Sequence, residues 1–201
     1  MYDEKVVKDL ITPILYKKSI FPSYSEQFKF AAVMITIHFT KKNPHVILIK
    51  RTNHVKSHAG EISFPGGNFM DKDVEMLETA VREVSEEIGI NLKKEDVIGC
   101  LNVERTLTSC YLIYPYVALV NRIPKLTNTN YEVEKIIDAP LIPLLRTREN
   151  DLMHQQQYSI PKLPKFTFKN HVIWGATARI LDQLAKIFSR EINYRKVKTT
   201  D

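Results

Sequence analysis

The sequence predicts an α/β (α+β) domain, and three observations carry that prediction. Runs rich in β-branched and aromatic residues recur at 28–39, 45–51, 96–105 and 112–121, each bounded by turn residues. Midway along the chain Leu77, Val81, Val84 and Ile88 stand at i, i+4, i+7 and i+11, the apolar stripe of a helix packed on a core. Near the end, Ile173, Thr177, Ile180, Leu181, Leu184 and Phe188 form a second stripe and predict a helix over 172–192. With 201 residues, 44% of them hydrophobic, the chain is long enough to bury a core. The expected organisation is a helical extension over 1–25, one domain over 26–192 and a tail over 193–201.

In chain order, residues 3–17 read as an amphipathic helix through Val6, Leu10, Ile11, Ile14 and Leu15, ending before Pro22. It either docks on the domain or contacts a second copy in a homodimer. The runs 28–39 and 45–51 form a hairpin around Lys41, Lys42, Asn43 and Pro44. His38 is a strand residue to which no functional role is given. A short strand, Glu61-Ile62-Ser63, leads into a loop, Phe64-Pro65-Gly66-Gly67, and Gly89 closes the following helix as a left-handed cap. Thr106 to Tyr111 link the next two strands, with Pro115 at a strand edge or bulge. Residues 148–171, rich in Gln, Pro and Lys, are expected as a loop or hairpin over a site entrance, and Trp174 as a core residue.

The central helix carries the chemistry. Glu83 and Glu87 lie one turn apart with Glu86 beside them, rotated away from the apolar stripe. Between Lys72 and Lys93 the only basic side chain is Arg82, set against Asp73, Glu75, Glu78, Glu83, Glu86 and Glu87. An acidic surface helix normally interleaves Lys and Arg at i+4, so a cation from outside the chain is expected to neutralise the patch. Clustered carboxylates suit Mg²⁺ or Mn²⁺, hard ions that retain waters and take further ligands from a substrate phosphate.

The segment from Gly66 to Ile90 resembles the box of the Nudix hydrolases, G-x5-E-x7-R-E-U-x-E-E-x-G-U with U apolar. Arg82-Glu83, Val84, Glu86-Glu87, Gly89 and Ile90 match it, whereas Asp73 stands at the first Glu and the spacing to Arg82 is one residue longer. Residues 48–67, LIKRTNHVKSHAGEISFPGG, are similar to the signature of the coenzyme A diphosphatase branch, with Val55-Lys56 in place of its Leu-Arg. That branch carries the same extra residue in its box. The resemblance implies a mixed β-sheet sandwiched between helices (α/β/α) and a Mg²⁺-dependent diphosphatase. Coenzyme A or a derivative is the implied substrate, with 3′,5′-ADP and a phosphopantetheine as products.

On that resemblance Glu83 and Glu87 are primary metal ligands, Glu86 is a ligand or base, and Arg82 orients the carboxylates. Backbone groups of Gly66 and Gly67 face metal or phosphate. Arg51, Lys56 and His58 are candidates for substrate phosphates, Arg51 alternatively being a structural ion-pair partner. An acidic group from outside the box, Glu132 with Glu134 as fallback, binds another metal or activates water. Thr108, Ser109 and Tyr111 either face the ligand or serve the turn.

ADP-ribose, dinucleotides and nucleoside triphosphates are alternative substrates for the same box. A non-catalytic nucleotide-binding domain and an RNA-directed hydrolase are readings of other classes. The formal charge of +6 invites nucleic acid as a partner, but the lysines are scattered and no aromatic-rich RNA-binding signature is present. A basic surface equally suits a polyanionic small molecule. Cys100 and Cys110 lack zinc-site spacing and read as reduced thiols. Neither a signal peptide nor a membrane span is evident, which makes the cytoplasm the expected location.

Overall fold

The computed structural model describes residues 2–16, 27–54, 58–121, 123, 126–128 and 130–198, with side chains described as far as Ser189. Lys56 and the Pro22 turn lie outside the described residues.

The sheet is built around β1 (Lys29–Thr40) and β2 (Asn43–Arg51). Lys41 and Lys42 turn the chain between them with φ of 49° and 61°, the two-residue hairpin geometry whose twist matches the strands. Pairing runs only from Ile37–Val46 to Thr40–Asn43, after which the strands splay. The returning chain fills the wedge. Here β3 (Ile62–Ser63) pairs with Ile49 and Lys50 of β2, and β4 (Gly66–Asn68) pairs with Ala31 to Val33 of β1. The double glycine expected in a loop therefore sits in a strand at the middle of the sheet.

On its other edge β1 pairs in parallel with β7 (Tyr111–Val120), while the remaining pairings are antiparallel. The strand expected over 96–105 is two short ones, β5 (Val97–Cys100) and β6 (Glu104–Arg105), both on β7. Pro115 is correspondingly not at an edge. It lies inside β7 opposite the break between β5 and β6, where its missing N–H removes no ladder bond and its carbonyl accepts from Leu101. The outer edge of β2 pairs with β8 (Val133–Pro140), which runs into α3 (Leu141–Arg146).

Helices cover both faces. Ile35, Ile37, Leu48 and Val117 pack with residues of α1 (Glu4–Ile11), α3 and α5 (Gly175–Lys198), while Ala32, Met34, Ile47 and Ile49 pack under α2 (Met76–Ile88). This is the expected mixed sheet between helices. Burial on both faces explains why β1 and β2 read as nearly continuous apolar runs.

The helix boundaries differ from expectation in instructive ways. Asp3 caps α1 by accepting from Val6 N–H, and the helix ends at Ile11, where Pro13 turns the chain into a 3-10 segment, Thr12–Ile14. Val7, Ile11 and Leu15 are buried, whereas Ile14 is exposed. Ile173 belongs not to α5 but to β11 (His171–Ile173), and α5 starts at Gly175 and extends beyond 192 to Lys198. Residues 148–171 are not a bare loop: β9 (Glu149–Asn150), α4 (Leu152–Tyr158) and β10 (Pro164–Phe168) occupy them, and β9–β11 form a second small sheet. Trp174 is half-buried and stacks on His154 of α4 with centroids 4.1 Å apart.

The largest correction concerns α2. Its buried residues are Met76, Thr79, Ala80, Glu83, Val84, Glu87 and Ile88, an i, i+3, i+4, i+7, i+8 arc; Leu77 and Val81 are only half-buried. The packed face is thus turned toward the carboxylates, and Glu83 and Glu87 lie within it.

The sheet's apolar centre should dominate stability. Leu48→Ala, at a fully buried site in β2, is expected to cost about 2–5 kcal/mol in chemical denaturation. Val74→Ala, at an 83% exposed side chain, should fall within about 0.5 kcal/mol of the parent. Equal losses at both positions would contradict this account of the core.

Candidate active site

The site begins with an anchor just before α2. Asp73 is buried and accepts from Met70 N–H at 3.1 Å, Thr79 Oγ1 at 2.8 Å and both Nε and Nη2 of Arg82, at 3.1 and 2.9 Å. A carboxylate gripping a guanidinium through two nitrogens fixes its plane. Thus held, Arg82 reaches Glu83 at 2.7 Å, Glu86 at 3.2 Å and the Asn68 carbonyl at 3.2 Å. Asp73 is therefore a positioning residue behind Arg82, a role its place in the sequence left open.

The two buried glutamates face β4. Glu87 Oε2 accepts the Gly66 N–H at 2.9 Å, and Glu83 lies so close to Gly67 that a Cβ there would stand 2.4 Å from Oε1. At Gly66 a Cβ would meet the Ala32 carbonyl at 2.3 Å. Both positions therefore need glycine, one for the sheet and one for the carboxylate. Gly89 ends the helix with φ 72°, its N–H donating to Ser85 O, as the sequence predicted.

The charge balance is less one-sided than expected. Lys94, beyond the segment first counted, reaches Glu75 at 3.2 Å and Glu78 at 3.8 Å, and Lys72 stands 3.9 Å from Glu86. Neither lysine is paired with Glu83 or Glu87. Among the described residues the buried pair thus has no lysine partner, Glu83 being bonded only to Arg82.

Two further elements bring residues to this pair. Arg51, at the end of β2, donates from Nη2 to Glu132 Oε2 at 2.7 Å and stands 3.9 Å from Glu87. Glu132 is held by backbone bonds to Thr52 and to the Asn130 side chain, immediately before β8. The ion-pair alternative for Arg51 is what the geometry shows, and its Nε is buried without a hydrogen-bond partner. Glu134 instead pairs with Lys50 at 2.6 Å. His58 sits at φ 57° with Nδ1 3.1 Å from Glu61 Oε2, half-exposed, and the hydrogen bond to Glu61 raises its pKa.

Thr108 and Ser109 belong to a turn organised by Thr106. Its Oγ1 accepts from Ser109 Oγ at 2.9 Å and from Tyr111 N–H at 2.8 Å. Cys100 and Cys110 are free, and burial pushes the Cys100 thiol up to about 12, far from a reactive thiolate.

The electrostatics follow from burial. It pushes the Glu87 carboxyl up to about 8, repulsion from Glu83 and Glu132 adding to it while the Gly66 N–H and Arg51 oppose. Glu83 is also raised by burial, against the pull of Arg82. Asp73 goes the other way, held at about 2 chiefly by its hydrogen bonds to Arg82. Two acids raised by desolvation in one pocket are poised for a cation, and an all-oxygen donor set suits a hard divalent ion.

Beside Glu86 a cavity of about 560 Å³ is lined by Ser85, Asn130 and the 84% exposed Tyr131. Asn130 and Tyr131 carry no signal in the sequence beyond their place next to Glu132. A second cavity of about 440 Å³, lined by Glu4, Lys8 and Glu95 among others, contains none of these site residues.

Comparison with known proteins places the chain in the class of pyrophosphatase-type hydrolases. The NUDIX domain model matches residues 29–162, and the chain belongs to the Nudix family. It is 33% identical over 165 residues to an uncharacterized Nudix hydrolase NudL of Photorhabdus laumondii, covering 81% of this chain and 86% of that protein. The NudL of Yersinia enterocolitica is 30% identical, covering 82% and 84%. Among solved structures, a MutT/nudix family protein from Enterococcus faecalis aligns with a TM-score of 0.57 at 14% identity, over 87% of this chain and 66% of that one. The NUDIX domain of Shewanella oneidensis NrtR, solved with ADP ribose, aligns at 0.50 and 19%, over 61% and 79%. These likenesses agree in the fold. Nudix hydrolases generally use divalent metals. Among the described residues no helix is long and apolar enough to cross a membrane.

Glu87 makes a stability prediction. Its carboxyl titrates at an ordinary 4.5 when unfolded and at about 8 when folded, so the folded chain holds a proton that the unfolded chain has lost. Glu87's contribution to the stability of the metal-free protein should be full below pH 4.5 and be lost as pH rises toward about 8. Thermal unfolding of Glu87→Gln should show a shallower decline, the part due to Glu83 and His58 remaining, and an identical slope in both proteins would refute the assignment.

Proposed function

We propose that this chain is a Mg²⁺-dependent diphosphatase that cleaves coenzyme A or its derivatives to 3′,5′-ADP and a phosphopantetheine. One observation supports it above others: Arg51, from the segment similar to the coenzyme A branch, stands 3.9 Å from Glu87 of the acidic helix. The signature and the box meet at one place.

Glu83, Glu86 and Glu87 are the residues that would hold the ion, backed by Gly66 and Gly67. A divalent ion there would screen the diphosphate and bring a water toward a nucleophilic hydroxide near neutral pH. Arg82, fixed by Asp73, keeps Glu83 and Glu86 oriented without touching substrate. Glu86 and Glu132, both partly exposed, would take the proton from attacking water. Water adds to one phosphorus, and the bridging oxygen leaves with the other. Arg51, once released from Glu132, and His58 would contact the substrate phosphates, with Lys56 assigned the same role from sequence. Exposed Tyr131 offers a ring on which the adenine can stack.

The same pocket suits ADP-ribose, the ligand solved with the NrtR domain, and this is the reading to test against.

A product-resolved assay with Mg²⁺ should show preferred turnover of coenzyme A over ADP-ribose, NADH and deoxynucleoside triphosphates. No such preference removes the narrower reading while leaving the diphosphatase. Glu87→Gln should lower kcat by several orders of magnitude, and a loss under about tenfold removes Glu87 from the chemistry.

A further inference from the structure

A second cluster of ligating side chains lies at the opposite end of β2 from Arg51. His38 and His45 are direct cross-strand partners beside the β1–β2 turn, and Asp138 lies on β8, which pairs with the other edge of β2. His38 Nε2 and His45 Nδ1 each lie 2.9 Å from the same oxygen, Asp138 Oδ1. The two rings have centroids 5.3 Å apart, and one ligand atom from each of the three residues falls within 4.8 Å of the others. His38 is 6% exposed, whereas the Asp138 side chain is 44% exposed, so the cluster is walled on one side and open to water on the other.

We propose that His38, His45 and Asp138 form a second metal site, separate from the acidic helix, that takes a borderline-soft divalent ion, zinc being the best fit. Two imidazoles and one carboxylate are a zinc donor set, whereas an all-carboxylate cluster suits magnesium. Three protein ligands with an open fourth position leave room for a water. Convergence comes from three adjacent strands whose backbones are already hydrogen-bonded, so little main-chain ordering remains to oppose binding.

A neutral ring can bond to an ionised Asp138 only by donating, which would put the protons on the ring nitrogens nearest it. Binding requires each ring to present a lone pair there, with the proton moved to Nδ1 of His38 and Nε2 of His45. No net proton is lost from neutral rings.

His45 and Arg51 are six residues apart on one strand, about 20 Å at about 3.3 Å per residue, so this ion cannot touch the diphosphate. Its effect is to fasten the β1–β2 hairpin to β8, the strand that begins next to Glu132.

The test uses the untagged full chain, stripped with chelator and then saturated with Mg²⁺. Zinc titrated calorimetrically should bind at one site per chain and raise the unfolding temperature. Cobalt in its place should give the visible absorption of a four-coordinate site. His45→Gln and Asp138→Asn should each weaken binding by about tenfold or more. Glu87→Gln should leave it intact, and Mg²⁺-dependent turnover without zinc should be the same in His45→Gln as in the parent. Should the variants fail to fold, the ring-nitrogen resonances of His38 and His45 in the parent must shift on adding zinc, and those of His54 and His171 must not. No binding at micromolar zinc means a hydrogen-bonded triad only and overturns the proposal. Binding lost in Glu87→Gln but kept in His45→Gln places the ion on the acidic helix and overturns it equally.

Discussion

The arrangement depends on one close contact, the pressing of two buried carboxylates against two glycines that have no side chains to keep them away. Glu87 takes the Gly66 N–H, and Glu83 occupies the space a Cβ on Gly67 would fill. Removing carboxylates from water is costly unless something charged joins them. Arg82 answers for Glu83 but is shared with Asp73 and Glu86, and Arg51 near Glu87 is engaged by Glu132. The pocket is therefore short of positive charge by design of its backbone. That shortage links the sheet's geometry to ion-dependent chemistry.

The geometry of the sheet brings about this contact. The strands β1 and β2 separate after a short hairpin, and residues 62–68 enter between them, so β4 is held on one side by β1 and overlain by α2. Packing of Met76, Ala80, Val84 and Ile88 on the sheet then sets the rotation of α2 and with it the aim of Glu83 and Glu87. Apolar burial thus orients polar groups. Each fully buried aliphatic side chain contributes roughly 1.5–3 kcal/mol, ample to hold two reluctant acids in place.

Much of this was legible beforehand where a local pattern had a single physical meaning. The hairpin, the helix carrying the carboxylates, the Gly89 cap and the grouping of Glu83, Glu86 and Glu87 follow from period, turn chemistry and i, i+4 spacing. What escaped was set by partners distant in the chain. The stripe through Leu77 and Val81 was a plausible buried face, but the sheet selected a neighbouring arc that includes the glutamates. Gly66 and Gly67 look like turn residues unless it is known that β1 and β2 part. The Asp73 anchor needed Thr79 and Arg82 to fold around it. His38 was taken for a bystander because its companions, His45 and Asp138, come from two other strands, the latter 100 residues away.

The two halves of the site differ in how far apart their members lie along the chain. Gly66 and Glu87 are 21 positions apart, whereas Arg51 and Glu132 are 81 apart. Contacts of short separation close early and long ones late, since each must first overcome the entropy of the intervening loop. A nascent chain emerging from its N-terminus can bring Glu87 to Gly66 while β8 is still unmade. The Arg51–Glu132 pair is then completed last, after the carboxylates of α2 have met their glycine strand.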